Sequence, residues 1–386
     1  MKKLLFYIEP AEFRGDRLLL HPWHDFCHAA ALRSQPARSF LASSPALCRL
    51  PCAAFEACWE IDPAAVIASN HDRAFYARDI CFGSSLRNVD LLERLKQIDD
   101  ALRPDYVVSW SENKYLRKTF GQRVLFMELG PLPRSGLKIS AFLDPFGHQV
   151  GCAFQSVARL SCDGDYTAFA TAWERTWLKQ VLALGEEAGC SDWLNRTRAG
   201  RKMLLAVLQP PDWLTYEGVG PALEPIALLQ HIARHMAPAD WLVIPQWHPG
   251  NSVPGEAELE KLVAACRNVR TPPSSLRIGQ SEVMLPHIDG VATISSNVAA
   301  AAAIIGKPVR VLGQSKFAAL DAPTFSAVPR PDLLAFMAGR YCRPRDDWMS
   351  NDGEFITHLE RLACDPGWLS RDIHKVDPAV LCDFMT

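Results

Sequence analysis

The sequence has little of what a membrane-spanning or secreted protein requires. Its longest uncharged apolar candidate, the alanine-rich stretch Val298–Ile305, is far shorter than the roughly 18 residues that cross a bilayer. The early apolar run Leu4–Ile8 meets Glu9 and Pro10 without a small-residue cleavage site, which favours a buried strand over a secretory signal. We therefore predict a cytoplasmic protein, with peripheral contact at the inner membrane left open.

The chain also lacks an excess of charge of one sign and lacks paired cysteine motifs. Lys and Arg number 41 against 43 Asp and Glu, a net charge of -2, which excludes the basic footprint of a nucleic-acid-binding protein at whole-chain level. The 12 cysteines form no C-x-x-C pair. We predict that they are reduced and mostly buried, as in a cytoplasmic protein.

Two short segments imitate metal sites without the full pattern of one. The segment HPWHDFCH lacks the spacing of a four-ligand zinc site, although it contains His21, His24, Cys27 and His28. Asp163-Gly164-Asp165 imitates an acidic metal motif, but Asp165 fits the cap of a helix that follows. We predict no metal site. Trp173 and Trp177, four residues apart on a predicted helix, are expected in the core.

Apolar strands alternate with amphipathic helices, which predicts an α/β fold with parallel sheets. In the first half, KLLFYIE, PAAVIAS, DYVVSW and VLFME are predicted strands, and LLERLKQIDDALR is a predicted helix. A long helix over Tyr166–Ala188 precedes a second alternation that starts at KMLLAVLQ. We predict two Rossmann-like domains facing a cleft, at 1–190 and 191–350, and a helical tail at 351–386 that packs towards the first domain.

Three strand ends in the second half carry polar residues, and ligands of α/β sheets bind beyond the carboxyl ends of strands. Gln209 and Asp212 follow KMLLAVL, and Pro210 and Pro211 restrict the backbone before Asp212. The Asp212 carboxylate could act as a nucleophile or base, or it could simply cap the turn. His248-Pro249 follows WLVIPQW; this imidazole can hold a phosphate or lie in a surface loop.

The third strand end, GVATI, runs into Ser295-Ser296-Asn297 and a predicted helix. Hydroxyl groups and free amides at a helix start suit a phosphate, although the same residues also make an ordinary helix cap. Occurring in order within one Rossmann-like half, the three strand ends together favour a site for a phosphate-bearing ligand.

These residues resemble the HP and SS motifs of GT-B glycosyltransferases that use CMP-activated sialic acid or the acidic sugar Kdo. The first half is similar to the capsule-polysaccharide β-Kdo transferases, whose pattern is matched here by Trp110, Glu128, Gly130, Arg134, Leu143, Asp144 and Gly147. The Gln-x-x-Asp pattern of Gln209 and Asp212 is also similar. The resemblance spans about Tyr106 to Gly313 and leaves the first hundred residues unmatched.

The resemblance implies a GT-B fold and a retaining transfer of Kdo from CMP-β-Kdo to a glycan or lipid-linked glycan of capsule, O-antigen or related polysaccharide. It implies that Asp212 is the nucleophile, and that His248, Pro249 and the Ser295–Asn297 segment hold the CMP phosphate, with Gln209 nearby. We expect no other cofactor.

Other roles in this scheme rest on charge. Glu128 is the candidate acid/base, Arg134 or Lys316 the candidate partner of the Kdo carboxylate, and Asp144 a candidate substrate-binding residue.

The chain departs from the capsule pattern before His248, where it has Pro245, Gln246 and Trp247, and at Ala301-Ala302. These departures favour an O-antigen branch and leave the acceptor open. An inverting CMP-sialic-acid-type transferase, a nucleotide-sugar epimerase and a non-catalytic nucleotide-sugar-binding protein stay open as alternatives.

Overall fold

A computed structural model describes residues 1–12, 21–51, 53–69, 72–160, 164–221, 223–250, 253–322 and 327–385. The strands are β1 Lys3–Ile8, β2 Arg38–Ser43, β3 Ala57–Glu60, β4 Tyr106–Trp110, β5 Val124–Leu129, β6 Ser140–Asp144, β7 Lys202–Leu208, β8 Trp241–Trp247, β9 Gly290–Thr293, β10 Val309–Val311 and β11 Cys342–Pro344.

The helices surround two sheets. They are α1 His21–Arg33, α2 Pro45–Cys48, α3 Pro63–Ala68, α4 Arg73–Phe82, α5 Val89–Leu102, α6 Lys114–Phe120, α7 Ala153–Arg159, α8 Thr167–Trp173, α9 Lys179–Glu187, α10 Cys190–Arg198, α11 Leu214–Val219, α12 Pro225–His235, α13 Glu256–Ala265, α14 Ser281–Met284, α15 Val298–Ile304, α16 Pro331–Phe336, α17 Arg345–Ser350 and α18 Glu354–Cys364. A π-helical stretch, Glu174–Leu178, joins α8 to α9. Among the described residues, no helix is both long and apolar enough to cross a bilayer.

The first sheet has the order β11-β6-β5-β4-β1-β2-β3. The strands from β5 to β3 are parallel, whereas β6 is antiparallel to β5 and β11 antiparallel to β6. Leu4 and Phe6 of β1 belong to one hydrophobic cluster, and Leu5 and Tyr7 to another. Because successive strand residues point to opposite faces, both faces of this sheet are covered.

The second sheet has the order β10-β9-β7-β8, and all of its strands are parallel. Met203 and Leu205 of β7 lie in one cluster, and Leu204 and Ala206 in the other, so this sheet is also buried on both faces. The predicted α/β class is confirmed by a first sheet that is mostly parallel and a second sheet that is wholly parallel.

One predicted strand is wrong. The segment PAAVIAS forms helix α3, because Asp62 accepts a hydrogen bond from the amide of Ala64 and Pro63 occupies the first helical turn. An Asp cap followed by Pro is a helix-start signature that outweighs a short apolar run.

The chain returns to the first sheet earlier than residue 351, since β11 pairs with β6 inside the range predicted for the second domain. The tail that follows also contacts the first half. Lys2 pairs with Glu360 at 2.5 Å, and the amide of Lys138 donates to the carbonyl of Phe384 at 2.8 Å. These contacts tie the end of the chain to its beginning.

The two halves meet through the carboxyl ends of their strands. The amide of Leu214, after β7, donates to the carbonyl of Glu12, after β1, at 3.3 Å. Asn297, after β9, donates to the carbonyl of Gly130, after β5, at 3.0 Å. Facing carboxyl ends of the parallel strands in the two sheets define the GT-B arrangement.

Candidate active site

Three neighbouring strands of the second sheet end in the polar residues that the sequence singled out. Strand β7 lies between β8 and β9, so Gln209, His248 and Ser295 follow adjacent strands at one edge. Gln209 accepts a hydrogen bond from the amide of Ser295 at 2.7 Å and donates to its hydroxyl at 2.9 Å. This paired contact fixes the turn after β7 against the turn after β9.

His248 is held as a neutral hydrogen-bond donor. Its amide donates to the carbonyl of Leu208 at 3.0 Å, and its Nδ1 accepts from the amide of Gly250 at 3.0 Å, which places the imidazole proton on Nε2. Burial, with a smaller effect of the Arg134 charge, lowers its pKa to about 4. Trp213 packs edge-on against the ring, with centroids 5.0 Å apart. The exposed Pro249 continues this turn.

The segment Ser295–Asn297 differs in part from the predicted helix-start site. Helix α15 has only seven residues, and the Asn297 side chain crosses to the first half instead of capping the helix. The hydroxyl of Ser296 accepts from the amide of Val298 at 3.4 Å. A short helix adds little dipole field, so any phosphate here depends on hydroxyl and amide donors.

Asp212 lies in the turn between β7 and α11, after Pro210 and Pro211. Its carbonyl accepts a hydrogen bond from Nη2 of Arg73, on α4 of the first half, at 2.8 Å. Arg73 also pairs with Glu217 of α11 at 2.6 Å, and their side chains are only 11% and 6% exposed. The Asp212 turn is therefore anchored by the first half as well as by the two prolines.

Glu128, at the end of β5, forms an ion pair across the two halves. Nζ of Lys316 lies 2.7 Å from Glu128 Oε2, and Nε2 of His148 contacts the same oxygen. Burial by itself raises the pKa of Glu128, but the charges of Lys316 and His148 outweigh burial and hold it well below its ordinary value. Glu128 is thus an ionised carboxylate.

This ion pair changes the role expected of Lys316. Its side chain is 1% exposed and lies over the rings of Phe142 and Phe317, with its ammonium committed to Glu128. A buried, paired ammonium does not suit the role of partner to a substrate carboxylate.

The segment 145–152 is folded around two buried carboxylates. Asp144 accepts from the amides of Phe146 at 2.8 Å and Ala153 at 2.7 Å, and Glu112 accepts from those of His148 at 2.5 Å and Gln149 at 2.7 Å. This arrangement presents His148 to Glu128.

Asp144 therefore differs from its predicted role in substrate binding. It is fully buried, and burial, opposed by its amide donors, raises its pKa to about 6. Its position supports the loop that carries His148 and gives it no surface for a substrate.

Arg134 is exposed on the loop after β5, and its guanidinium has no hydrogen-bond partner within the described part of the chain. Glu282 of α14 accepts from the amides of Arg134 at 3.0 Å and Ser135 at 2.7 Å, which ties this loop to the second half. Gly130 precedes the loop, and a Cβ there would collide with Ser140 and Cys342. The loop holds the Arg134 charge close enough to His248 to lower the pKa of that imidazole.

Sequence reasoning missed the residues that hold this site from the first hundred positions. Arg73, in an ordinary helix, gave no signal. Glu12, next to the buried strand β1, gave only the signal of an acid at a strand end. Burial and the charges of Glu9 and Glu128 raise the pKa of Glu12 to about 8, against the opposing effects of Arg73 and Ser111. Its ionisation therefore opposes folding as the pH rises towards 8.

The two segments that imitate metal sites, around His24 and around Asp165, lie in different parts of the first half. No group of three potential ligands occurs among the described residues. His24 is buried and stacks with His28, with centroids 6.1 Å apart. Asp165 accepts from the amide of Thr167, but the N-cap residue of α8 is Tyr166, so the predicted cap Asp165 lies one residue before the cap position. Asp163 and the side chain of His21 lie outside the described residues.

Comparisons with known proteins found only distant likenesses. No family model and no curated protein matches the chain. The β-Kdo 2,7 transferase KpsC of Thermosulfurimonas dismutans is 15% identical, covers 69% of this chain and 89% of its own, and has a TM-score of 0.39. The glycosyltransferase SnogD of Streptomyces nogalater is 14% identical, with coverages of 98% and 97% and a TM-score of 0.27. The glycotransferase of kitacinnamycin is 14% identical, with coverages of 99% and 98% and a TM-score of 0.33. We rest the fold on the strand order, not on these likenesses.

Proposed function

We propose that this protein is a retaining glycosyltransferase that moves Kdo from CMP-β-Kdo to a glycan or lipid-linked glycan acceptor in surface-polysaccharide synthesis. The observation that carries the proposal is the shared edge of the second sheet, where the turns after three adjacent strands contain Asp212, His248 and Ser295. This edge faces Glu128 and Arg134 of the first half. Ligands of α/β sheets bind at such an edge.

The donor phosphate is held by hydrogen-bond donors and one cation. His248 offers its Nε2 proton, Ser295 and Ser296 offer hydroxyls, and Gln209 keeps Ser295 in place. Arg134 supplies a positive charge to the phosphate or to the Kdo carboxylate. These donors stabilise the charge that develops on CMP as it leaves. We expect activity to persist in the presence of a chelator.

The reaction proceeds by two displacements. The Asp212 carboxylate attacks the anomeric carbon of Kdo, the bond to the phosphate oxygen breaks, and CMP leaves with the bonding electrons. The acceptor hydroxyl then attacks the same carbon, and its proton passes to the Glu128 carboxylate. Because Lys316 and His148 keep the pKa of Glu128 low, Glu128 releases this proton to water and does not retain it. The Asp212 ester bond breaks and restores the carboxylate. Two inversions at one carbon give net retention.

The test compares Asp212→Asn and Asp212→Ala with Asp240→Asn, a matched change on an exposed aspartate of the same half. We expect both Asp212 variants to lose at least about three orders of magnitude in turnover and to bind CMP as the wild type does. Asp240→Asn should retain wild-type turnover. Intact-protein mass spectrometry of a stalled reaction should show one added Kdo, mapped to Gln209–Trp213.

Three outcomes would contradict the proposal in different ways. An inverted product, assigned by NMR, would favour a CMP-sialic-acid-type transferase with Asp212 as base. Conversion of a nucleotide sugar without transfer would favour an epimerase. Binding of CMP without hydrolysis or transfer of CMP-Kdo would indicate a non-catalytic binding protein.

A further inference from the structure

A polar cavity of about 310 Å³ lies between β11 and the start of α18, in the part of the chain after the second sheet. Arg343 of β11 and Arg361, Thr357 and His358 of α18 line this cavity. Its residues are separate in sequence from every residue of the candidate active site. It is large enough for a phosphate group with part of a small organic molecule.

Three arginines of this region converge on one tryptophan. The guanidinium carbons of Arg340, Arg343 and Arg361 lie 5.0, 5.9 and 5.1 Å from the ring centroid of Trp368. A guanidinium stacked on an indole presents its N–H groups at its edge. In this cluster Nη1 of Arg343 already donates to the carbonyl of Cys342 at 2.7 Å. The cluster is therefore arranged to recognise a planar or tetrahedral anion.

The positive charge of this cluster is not balanced by ion pairs. None of its three arginines forms an ion pair with a carboxylate of the described residues, whereas nearby Arg371 pairs with Asp365 at 2.9 Å. Of the two acids that line the cavity, Asp352 pairs with Arg33 at 3.0 Å, which leaves the exposed Glu354.

A buried imidazole also faces the cavity. His358 is 5% exposed, and its Nε2 meets no hydrogen-bond partner in the described part of the chain. Burial, and then the charges of Arg343 and Arg361, lower its pKa to about 3. An unpartnered buried polar group beside unpaired guanidinium groups is costly unless a ligand completes it.

We propose that this cavity is a phosphate-binding site. The guanidinium groups of Arg343 and Arg361 donate to the phosphate oxygens, and Thr357 and His358 add hydrogen bonds. The phosphate belongs either to a small phosphorylated molecule or to the headgroup of an anionic lipid. A charged bidentate contact from two fixed guanidinium groups gives this site both affinity and orientation. The proposal is independent of the sugar-transfer reaction.

The test uses the full-length protein with two probes: inorganic phosphate in calorimetry, and vesicles of phosphatidylglycerol or phosphatidylcholine in co-sedimentation. Arg361→Gln removes one of the two guanidinium groups proposed to bind phosphate, at an exposed position, and Arg371→Gln is the matched control. His248→Ala controls for phosphate in the candidate active site. We expect Arg361→Gln to weaken the phosphate affinity or the phosphatidylglycerol binding at least tenfold, and Arg371→Gln to bind as the wild type. His248→Ala should lose only phosphate bound at the candidate active site and should keep the binding that Arg361→Gln loses.

Each outcome decides the proposal. Loss of phosphate binding alone assigns a soluble ligand, and loss of phosphatidylglycerol binding, with none to phosphatidylcholine, assigns a headgroup. The proposal is overturned if Arg361→Gln binds both probes as the wild type does, or if Arg371→Gln loses as much affinity as Arg361→Gln. It is also overturned if the wild-type protein binds neither probe. Should Arg361→Gln fail to fold, Thr357→Ala, which removes one exposed hydroxyl, should still weaken the same probe severalfold.

Discussion

At the scale of single residues, the candidate site is governed by which groups are charged. His248 has its pKa lowered to about 4, below the ordinary value of 6.5, so it is neutral at physiological pH. Its protonation opposes folding as the pH falls from 6.5 towards 4. Glu128, in contrast to the neutral His248, is charged at physiological pH because Lys316 and His148 stabilise its carboxylate.

We predict that His248 binds the donor phosphate as a neutral N–H donor. His248→Ala should weaken CMP affinity without unfolding the protein, and His248→Gln, which keeps an N–H donor, should weaken it less. The ratio of wild-type to His248→Gln affinity in calorimetry should stay constant between about pH 5.5 and 8. A ratio that changes with a midpoint near the ordinary histidine pKa would show that the imidazolium binds the phosphate.

We predict that Lys316 matters chiefly because it neutralises Glu128. Lys316→Met should leave a poorly solvated carboxylate at the junction of the halves and lower the free energy of unfolding by about 3–5 kcal/mol. Adding Glu128→Gln should recover much of this loss in urea denaturation. If the two losses simply add, the ion pair at 2.7 Å is not energetically coupled.

At the scale of elements, the turn 145–152 is the part of the site that depends most on backbone space. Two carboxylates satisfy its amides, and Gly147 lies where a Cβ would be 2.5 Å from the carbonyl of Val150. The turn can therefore keep this backbone conformation only with glycine at position 147.

We predict that Gly147→Ala displaces this turn and with it His148. The unfolding free energy should fall by about 1–3 kcal/mol, as for overpacking, and turnover should fall more than CMP affinity because the donor site lies in the other half. Gly255→Ala, where a Cβ meets nothing within 4 Å, is the matched control for space. It should leave turnover unchanged and lower the unfolding free energy by at most about 1 kcal/mol, because Gly255 is the N-cap of α13. Equal behaviour of the two variants in denaturation and kinetics would contradict this account.

At the scale of the whole molecule, the two sheets are joined by buried polar contacts as well as by the chain. Arg73 links α4 of the first half to Glu217 and to the turn of Asp212 in the second. Asn297 and Glu282 add hydrogen bonds to the loop after β5. The candidate nucleophile is therefore positioned by the relative placement of the halves.

We predict that Arg73→Met lowers the unfolding free energy by about 3–5 kcal/mol, because the buried Glu217 loses its ion pair with Arg73. Turnover should fall while CMP binding persists, since the Asp212 turn loses its anchor. Arg38→Gln, which breaks an exposed pair with Glu56, is the control and should not change the unfolding midpoint measurably. Loss of CMP binding in Arg73→Met would show that Arg73 acts on the donor site directly.

Local sequence patterns were sufficient to predict the α/β class, most buried strands and the polar residues that follow them. Apolar runs such as Met203–Leu208 and the turns that follow them are local patterns. Local pattern also explains the error at α3, where an Asp-Pro helix start was hidden within an apolar run.

The partners and charge states of the site residues, in contrast, depend on contacts between distant parts of the chain. Lys316 pairs with Glu128 across 188 positions, and Arg73 reaches Asp212 across 139, and neither contact leaves a periodic signal in the sequence. Asp144 matched a motif, yet burial gave it a structural role. A residue's charge state and partners depend on burial and on long-range neighbours, which the fold fixes and spacing along the chain does not.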